Sequence, residues 1–553
     1  MNSNLVFASM ATLGILSSFV FFVFYLIAFQ ANFIGFGWLV GLTVFTGVLL
    51  WLVSPAITDF LQRWLYRIRR VDFEEFSKEH PELAEFIGLV CQKNNIPLPS
   101  LRIIADNNPT AYCYGSFPAN ARLVVSEGLF KYLNIEEQKA VYAHELGHIV
   151  NLDFIVMTIA SILLQILYEV YYNFLRRRRR SSGKKDFTPI IGAIAYVLYV
   201  IGSYLVLYLS RTREYLADRF SARETQNPDS LSMALVKIAY GIATETDGES
   251  THRLLASTRQ MGIYDYKSAH AVGSTFKLAT EQGGGRANID ELSKVFLFDI
   301  YSPWAKVSEL NSTHPLTGKR IMALTEFALQ NSKPSVFDFG KLAYEGEGLD
   351  RKKLYSEFWS GIFIYCFPFL AGIFGLVMIL TDYGKFLNYP LAVFLLGLAF
   401  LSQGIYKFSI PASEPEKTTV FKLMQDPYAN PLRGRYVEIE GKVIGKADAG
   451  SYLGEDVTMQ DKSGCLIYLN YESLIPILGN LFFGLGKAKK MIGQPSRAVG
   501  WFRRSTFQVV DLHKIEVLGQ TITSYTRFWG IVLGAFFILL AAVIVVLNNS
   551  LSF

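Results

Sequence analysis

The chain has 553 residues, 51% of them hydrophobic and only 18% charged, with a formal charge of +6 and a mean hydropathy of +0.27. That is too long for one domain and too apolar for a soluble one. The small positive charge, concentrated beside apolar segments, points to anionic lipid headgroups before nucleic acid.

Seven stretches approach or exceed the length that crosses a bilayer: 5–29, 33–53, 154–175, 189–210, 358–380, 390–406 and 528–547. The first has no positive n-region and is too long for a signal peptide, so it forms with the second a retained transmembrane hairpin, 1–58. The basic and aromatic run Gln62-Arg-Trp-Leu-Tyr-Arg-Ile-Arg-Arg70 reads as an anchor in the headgroup layer. Residues 74–153 read as a soluble α+β segment, with a helix over 74–94 and strands over 101–105 and 122–126. Asn134 and Glu137 form a capping box that starts the next helix, and nothing is expected to break that helix before the third apolar stretch. Stretches three and four then make a hairpin, 154–210, which returns Glu214 and Asp218 to the side of His144 and His148.

A Gly- and Thr-rich soluble region follows to 350, with loose patches at 245–250 and 283–285, and then a second hairpin, 351–409. Over 410–524, short alternating strands at 436–444, 456–459, 465–470, 496–502 and 514–518 suggest a five-stranded barrel resembling an OB-fold. Its apolar insert, 474–485, reads as an amphipathic helix in the membrane interface, and 525–553 holds a last spanning helix. The barrel's one basic stretch, 487–490, is too small to favour nucleic acid, which leaves a structural role, a protein partner or contacts between copies. Cys91, Cys113, Cys366 and Cys465 show no paired spacing and read as unpaired thiols or small buried residues.

His144-Glu145-Leu146-Gly147-His148 is the segment that carries chemistry. Residues i and i+4 share a helical face, so both imidazoles can meet one metal ion while Glu145 stands beside it as general base. With only 7 histidines in the chain, a chance match is improbable. A hydrolytic zinc takes a third protein ligand. Glu214 is the candidate, the plainer alternative being a surface carboxylate paired with Arg211 or Arg213. Asp218, a turn later, either steadies a histidine ring or is an ordinary exposed helix residue. His80, His252, His270 and His513 have no comparable context.

The blocks Ala143-His-Glu-Leu-Gly-His-Ile-Val-Asn-Leu-Asp153, Arg213-Glu-Tyr-Leu-Ala-Asp218 and Ser312-Thr-His-Pro-Leu-Thr-Gly-Lys-Arg-Ile321 resemble the signature blocks of the M48 metallopeptidases. The HtpX-like membrane proteases are the nearer branch, and the Ste24 CAAX-processing enzymes and a mitochondrial quality-control protease are more distant. A fourth block, Asn107-Asn-Pro-Thr-Ala-Tyr-Cys-Tyr-Gly115, is similar too. The resemblance implies a gluzincin-type site with one zinc per chain on His144, His148 and Glu214, Glu145 as base, and Asp218 behind the ligands. It implies His314 near the oxyanion, although this residue could instead cap a helix starting near Pro315. It further implies an ion pair for Arg320, orientation of His148 by Asp153, and an edge strand along Thr110, Ala111, Tyr112, Cys113, Tyr114 and Gly115 on which an extended substrate lies.

Together these readings give a mainly α integral membrane protein of about 7 transmembrane helices, with an α+β gluzincin-type peptidase domain over 59–350 and a C-terminal OB-like β-barrel. The expected function is a zinc-dependent endopeptidase of the plasma or inner membrane, taking membrane or misfolded proteins as substrates. The alternative is a catalytically silent membrane scaffold whose barrel binds a partner. An intramembrane protease fits less well, because His144 and His148 precede their span. The balance of Lys and Arg at span ends puts the catalytic side in the cytoplasm, although the Arg176–Arg180 turn then faces the other way.

Overall fold

The computed structural model describes residues 3–30, 33–66, 68–176, 188–244, 272–273, 276, 288–380, 385–408, 414–446, 455–504 and 508–550. The two loose patches, most of the polybasic turn, His252 and His270 lie outside these residues. The chain divides into two compact units, 1–273 with 307–339 and 274–306 with 340–553.

Among the described residues six helices are long and apolar enough to cross a membrane: Thr43–Phe60, Asp153–Phe174, Ile190–Thr225, Arg351–Gly375, Tyr389–Lys407 and Trp529–Leu547. The Ser3–Gln30 helix carries a shorter apolar stretch, Ala11–Ile27. Large apolar side chains such as Phe21, Phe45, Phe369 and Leu539 are exposed on these helices, which is stable only against lipid. The chain is a membrane protein.

In the first unit, Val20, Val23 and Ile27 of the Ser3–Gln30 helix pack on Ile166, Leu167, Val170, Ile191 and Ala195 of the two returning helices. Beside this bundle stands a four-stranded sheet of β1 (Ile68–Arg70), β2 (Ser100–Ile104), β3 (Ala111–Tyr114) and β4 (Arg122–Ser126), in the order β1-β2-β4-β3. β3 is an edge strand, antiparallel to β4. The basic and aromatic stretch over 62–70 ends in β1, which pairs Ile68 with Ile104. The helix expected over 74–94 is two, Phe73–Glu79 and Pro81–Lys93, because a proline inside it has no N–H to give and clashes with the preceding turn.

The Ile135–Val150 helix opens on the expected capping box: Glu137 N–H donates to Asn134 Oδ1 at 2.9 Å and Asn134 N–H to Glu137 Oε2 at 2.9 Å. Its expected continuity with the third span fails. The helix stops at Val150, Leu152 takes φ +58°, and a new helix begins at Asp153. Asn151 and Leu152 N–H donate back to the Gly147 and Ile149 carbonyls, so the left-handed residue closes the helix end.

In the second unit, the helices Arg351–Leu380, Lys385–Phe408 and Trp529–Ser550 form a bundle. Gly404 and Gly534 let two of them meet closely, since a Cβ on either would lie 2.6 Å from Ile531 N or 2.4 Å from Leu401 N. The β region comprises β5 (Glu416–Lys417), β6 (Arg435–Lys446), β7 (Val457–Asp461), β8 (Leu466–Asn470), β9 (Pro495–Arg504), β10 (Gln508–Val517) and β11 (Gln520–Thr523). Pairing runs β6-β7-β8-β10-β9 and back to β6, which closes a five-stranded barrel around Val437, Ile439, Met459, Ile467, Val510 and Ile515. The fifth barrel strand starts six residues earlier than expected, because a register shift between Leu512 and Lys514 breaks the alternation along β10. The expected interfacial helix over 474–485 is a turn followed by the short α-helix Leu478–Phe482 and the π-turn Phe483–Lys487.

Candidate active site

Three ligand-type side chains converge where the Ile135–Val150 helix crosses the Thr188–Thr225 helix. His144 and His148 face each other with their Nε2 atoms 3.2 Å apart. Glu214 Oε2 lies 3.6 Å from His144 Nε2 and Glu214 Oε1 lies 3.6 Å from His148 Nε2. This is the one group of metal-ligand type found among the described residues, its ligand atoms all within 4.8 Å. Close helix approach makes it: a Cβ at Gly147 would meet Ala217 Cα at 3.1 Å and the Phe220 side chain at 3.2 Å. Ser221 adds a bond to the Ala140 carbonyl at 2.6 Å across the same crossing.

Around this trio stands a layer of buried charge. His144 Nδ1 is 3.0 Å from Asp218 Oδ1, and Arg320 grips that carboxylate through Nε at 2.9 Å and Nη2 at 2.6 Å. His148 Nδ1 is 2.5 Å from Asp153 Oδ2, and Asp153 is in turn paired with Arg213. The helix break explains that contact. On an unbroken helix positions five apart point about 140° away from each other, whereas the turn at Asn151–Leu152 swings Asp153 back to the ring. Glu214 is buried, not the surface residue of the plainer alternative, and Arg213 is taken by Asp153. Asp218 is likewise buried rather than exposed.

Glu145 is 2% exposed, and burial pushes its carboxyl above the ordinary glutamate range against the pull of His144 and His148. Burial also holds the His148 imidazole below its usual value, so its lone pair is free near neutral pH. Burial works to lower His144 too, but the Asp218 and Glu214 carboxylates outweigh it and carry that ring up to about 9. A cation accepted at His144 Nε2 must therefore displace a proton.

His314 Nε2 is 3.6 Å from Glu214 Oε1, and its Nδ1 is 3.0 Å from Thr313 Oγ1. The helix after it is Thr317–Gln330 with Leu316 at the N-cap, so His314 is not its cap. Arg211 holds this loop in place, donating to the Glu309 and Ser312 carbonyls at 2.8 Å each. β3 runs alongside the His-Glu helix, with Cys113 Sγ 3.4 Å from the Glu145 carbonyl oxygen.

The profile of peptidase family M48 matches residues 77–328. The chain is 34% identical over 220 residues to a protease HtpX homolog of Pyrococcus abyssi, covering 38% of this chain and 74% of that protein. The chain belongs to peptidase family M48. A protease HtpX homolog of Methanothermobacter thermautotrophicus is 30% identical over 198 residues, 36% of this chain and 71% of that protein. One from Pyrobaculum islandicum is 26% identical over 316 residues, 56% of this chain and 84% of that protein. The crystal structure of S. mikatae Ste24p is similar at a TM-score of 0.32 and 17% identity, covering 56% of this chain and 62% of that one, a likeness that carries no argument about the fold.

In this M48 protease the family match ends before the second hairpin, the barrel and the last helix. Sequence reasoning also missed a set of groups that tie the sheet to the second helix. Asp59 accepts from Tyr114 Oη at 2.7 Å, Arg102 at 2.8 Å and Arg122 at 3.1 Å, and Ser116 Oγ donates to the Trp51 carbonyl at 2.6 Å. They fix the far end of β3 to a membrane helix. No local pattern signals them, since Asp59 precedes its partners by 43 to 63 residues.

Proposed function

We propose that this protein is a zinc-dependent endopeptidase that cuts membrane or misfolded proteins at the membrane surface, with His144, His148 and Glu214 as the zinc ligands. The observation that carries the reading is the spacing and chemistry of those three side chains. Ligands in a tetrahedral zinc site stand about 3.3 Å apart, close to the 3.2 and 3.6 Å found here. Glu214 Oε2 is also buried without a hydrogen bond, its nearest cation being the Arg320 guanidinium at 3.5 Å, so a metal ion bound there would complete its coordination. Zinc, when bound, supplies a Lewis acid that acidifies water to a pKa of about 7 and polarises the scissile carbonyl.

The chain's own residues supply the rest. Glu145 takes the proton from the attacking water and returns it to the leaving amine, a task that suits a carboxylate made more basic by burial. Asp218 and Asp153 hold the two imidazoles by their Nδ1 atoms, and Arg320 and Arg213 hold those carboxylates in turn. His314 is read as the donor to the developing oxyanion. Replacing Glu214 by Ala should remove most of the roughly one zinc per chain, measured by elemental analysis. Full retention of zinc would show that another group is the third ligand.

An extended substrate is read as pairing with β3. Ser126 N–H donates to the Thr110 carbonyl at 3.0 Å, so alternation along the antiparallel pair turns the N–H groups of Tyr112 and Tyr114 toward β4 and those of Ala111 and Cys113 outward. Ala111→Pro should therefore lower turnover with zinc content unchanged, while Tyr112→Pro should break the β4 ladder and lower Tm. Normal cleavage by the Ala111 variant would place the substrate elsewhere.

The barrel is read as OB-like, on its closure order, its single parallel pair (β8 with β10) and the helical insert between its third and fourth strands. A structural role is favoured: Arg527, beside the last span, pairs with Asp511 of β10 at 3.1 Å and donates to the Lys407 carbonyl at the end of the second hairpin. A cytoplasmic catalytic side is proposed on the positive-inside rule. Arg213 and Arg527 drop out of that count as buried paired groups, whereas Arg63, Arg69, Arg70 and Arg351–Lys353 remain.

A further inference from the structure

The insert between β8 and β9 has its polarity reversed. At its apolar tip the buried group is polar, whereas Phe483, Ala488 and Met491 pack inward further on. Asn480 is buried, donating to Glu472 Oε1 at 2.8 Å and Glu455 Oε1 at 3.2 Å and accepting from Ser473 N–H at 2.7 Å. Its outward groups are large and apolar. Leu474, Ile475, Ile477, Leu478 and Phe482 are 53%, 63%, 82%, 59% and 71% exposed. A water-facing loop has the opposite arrangement, and a patch of this kind is unfavourable unless something apolar covers it.

The patch is held rigidly. Phe483 stacks on Tyr471 with ring centroids 3.7 Å apart, and Gly479 packs so closely that a Cβ there would meet Ser473 Oγ at 2.2 Å. At its tip Ile477 has φ +67° and ψ −71°, and Leu478 N–H donates to the Pro476 carbonyl at 2.8 Å. This is a γ-turn of the rare strained kind, and it thrusts a β-branched apolar side chain outward.

Its location names the cover. Trp529, the first residue of the last spanning helix, donates its indole N–H to the Ser473 carbonyl at 3.3 Å. Tyr525 N–H donates to the Glu472 carbonyl at 2.7 Å. Leu474 therefore begins one residue from a contact with the first residue of the last spanning helix, which places the apolar tip beside the start of that span. Lys487, Lys489 and Lys490 are exposed at the other end of the insert, a combination of apolar tip and flanking cations that suits a lipid surface.

We propose that residues 474–492 form a membrane wedge: the apolar tip at Leu474–Phe482 sits in the acyl boundary beside the last span, and the three lysines engage anionic lipid headgroups. The wedge pins the barrel flat on the bilayer, a second attachment besides the spanning helices. It does not depend on the peptidase reading, and its test needs no proteolysis.

The full-length protein, with nitroxides introduced at Ile477→Cys, Phe482→Cys or, for comparison, Lys462→Cys on a charged turn of the same barrel, is reconstituted in phosphatidylcholine vesicles with and without phosphatidylglycerol. The labelled unsubstituted chain gives the background from the native cysteines. At Ile477 and Phe482 the spin label should be several-fold more accessible to oxygen than to a water-soluble nickel chelate, with the reverse at Lys462. Adding phosphatidylglycerol should reduce nickel access further, and Lys487→Glu/Lys489→Glu/Lys490→Glu should cancel that added protection. Equal nickel access at Ile477 and Lys462 would overturn the wedge. So would spin–spin broadening at Ile477 that disappears on dilution with unlabelled protein, since a second copy would then cover the patch. Protection that ignores both phosphatidylglycerol and the charge reversal would overturn the headgroup assignment.

Discussion

Glu145→Gln should lose peptide hydrolysis and retain the proposed metal. The amide is nearly the same shape as the carboxylate, so a site buried to this degree has no reason to rearrange around it. What it lacks is basicity. Removing a general base of this kind costs about 10²- to 10⁴-fold in rate, and the loss should fall on kcat, because the proton moves only as the bond to the carbonyl forms. Zinc content by elemental analysis should match the parent and thermal stability should stay close to it, since the Cys113 contact with the backbone carbonyl of Glu145 is left in place and an amide oxygen can still accept from the thiol. Any self-cleavage of the parent during purification should also disappear. Turnover near that of the parent would remove Glu145 from the role of base.

The centre of this site was readable because its chemistry is local. Two histidines four apart on one helix define a face, and the capping box at Asn134 and Glu137 marks where that helix begins. The barrel strands were readable for a similar reason, since alternation survives over most of each one. Where alternation slips, at the bulge between Leu512 and Lys514, the reading failed. Pro81 was a visible break within 74–94, and its cost to a helix outweighed the apolar periodicity around it. The break at Asn151–Leu152 was of another kind, because no Gly or Pro announces it and a leucine takes the left-handed conformation. That turn matters more than its size suggests, since it brings Asp153 to His148. The Asp59 cluster was illegible because it exists only once the sheet and the membrane helix are side by side.

His314→Ala should lower kcat by roughly a hundredfold while leaving zinc content and KM nearly unchanged. As the carbonyl is attacked its oxygen gains charge, and a donor aimed at that position strengthens only in the transition state. The ring is set up for it. Thr313 Oγ1 lies 3.0 Å from His314 Nδ1, and when that hydroxyl donates, Nδ1 is the acceptor and the proton sits on Nε2, the nitrogen turned toward Glu214. His314→Phe should be as impaired as the alanine variant, because it fills the space without a donor. A capping role is already excluded by Leu316 at the helix start, so the remaining competitor is a structural role, through packing and the contact with Glu214. His314 is buried, and Ser312 Oγ donates to its carbonyl at 2.8 Å, so truncation should cost some stability in either case. The two accounts part on kcat. If Tm falls and kcat stays at the parent value, His314 belongs to the scaffold, whereas a hundredfold loss at unchanged zinc assigns it to the oxyanion.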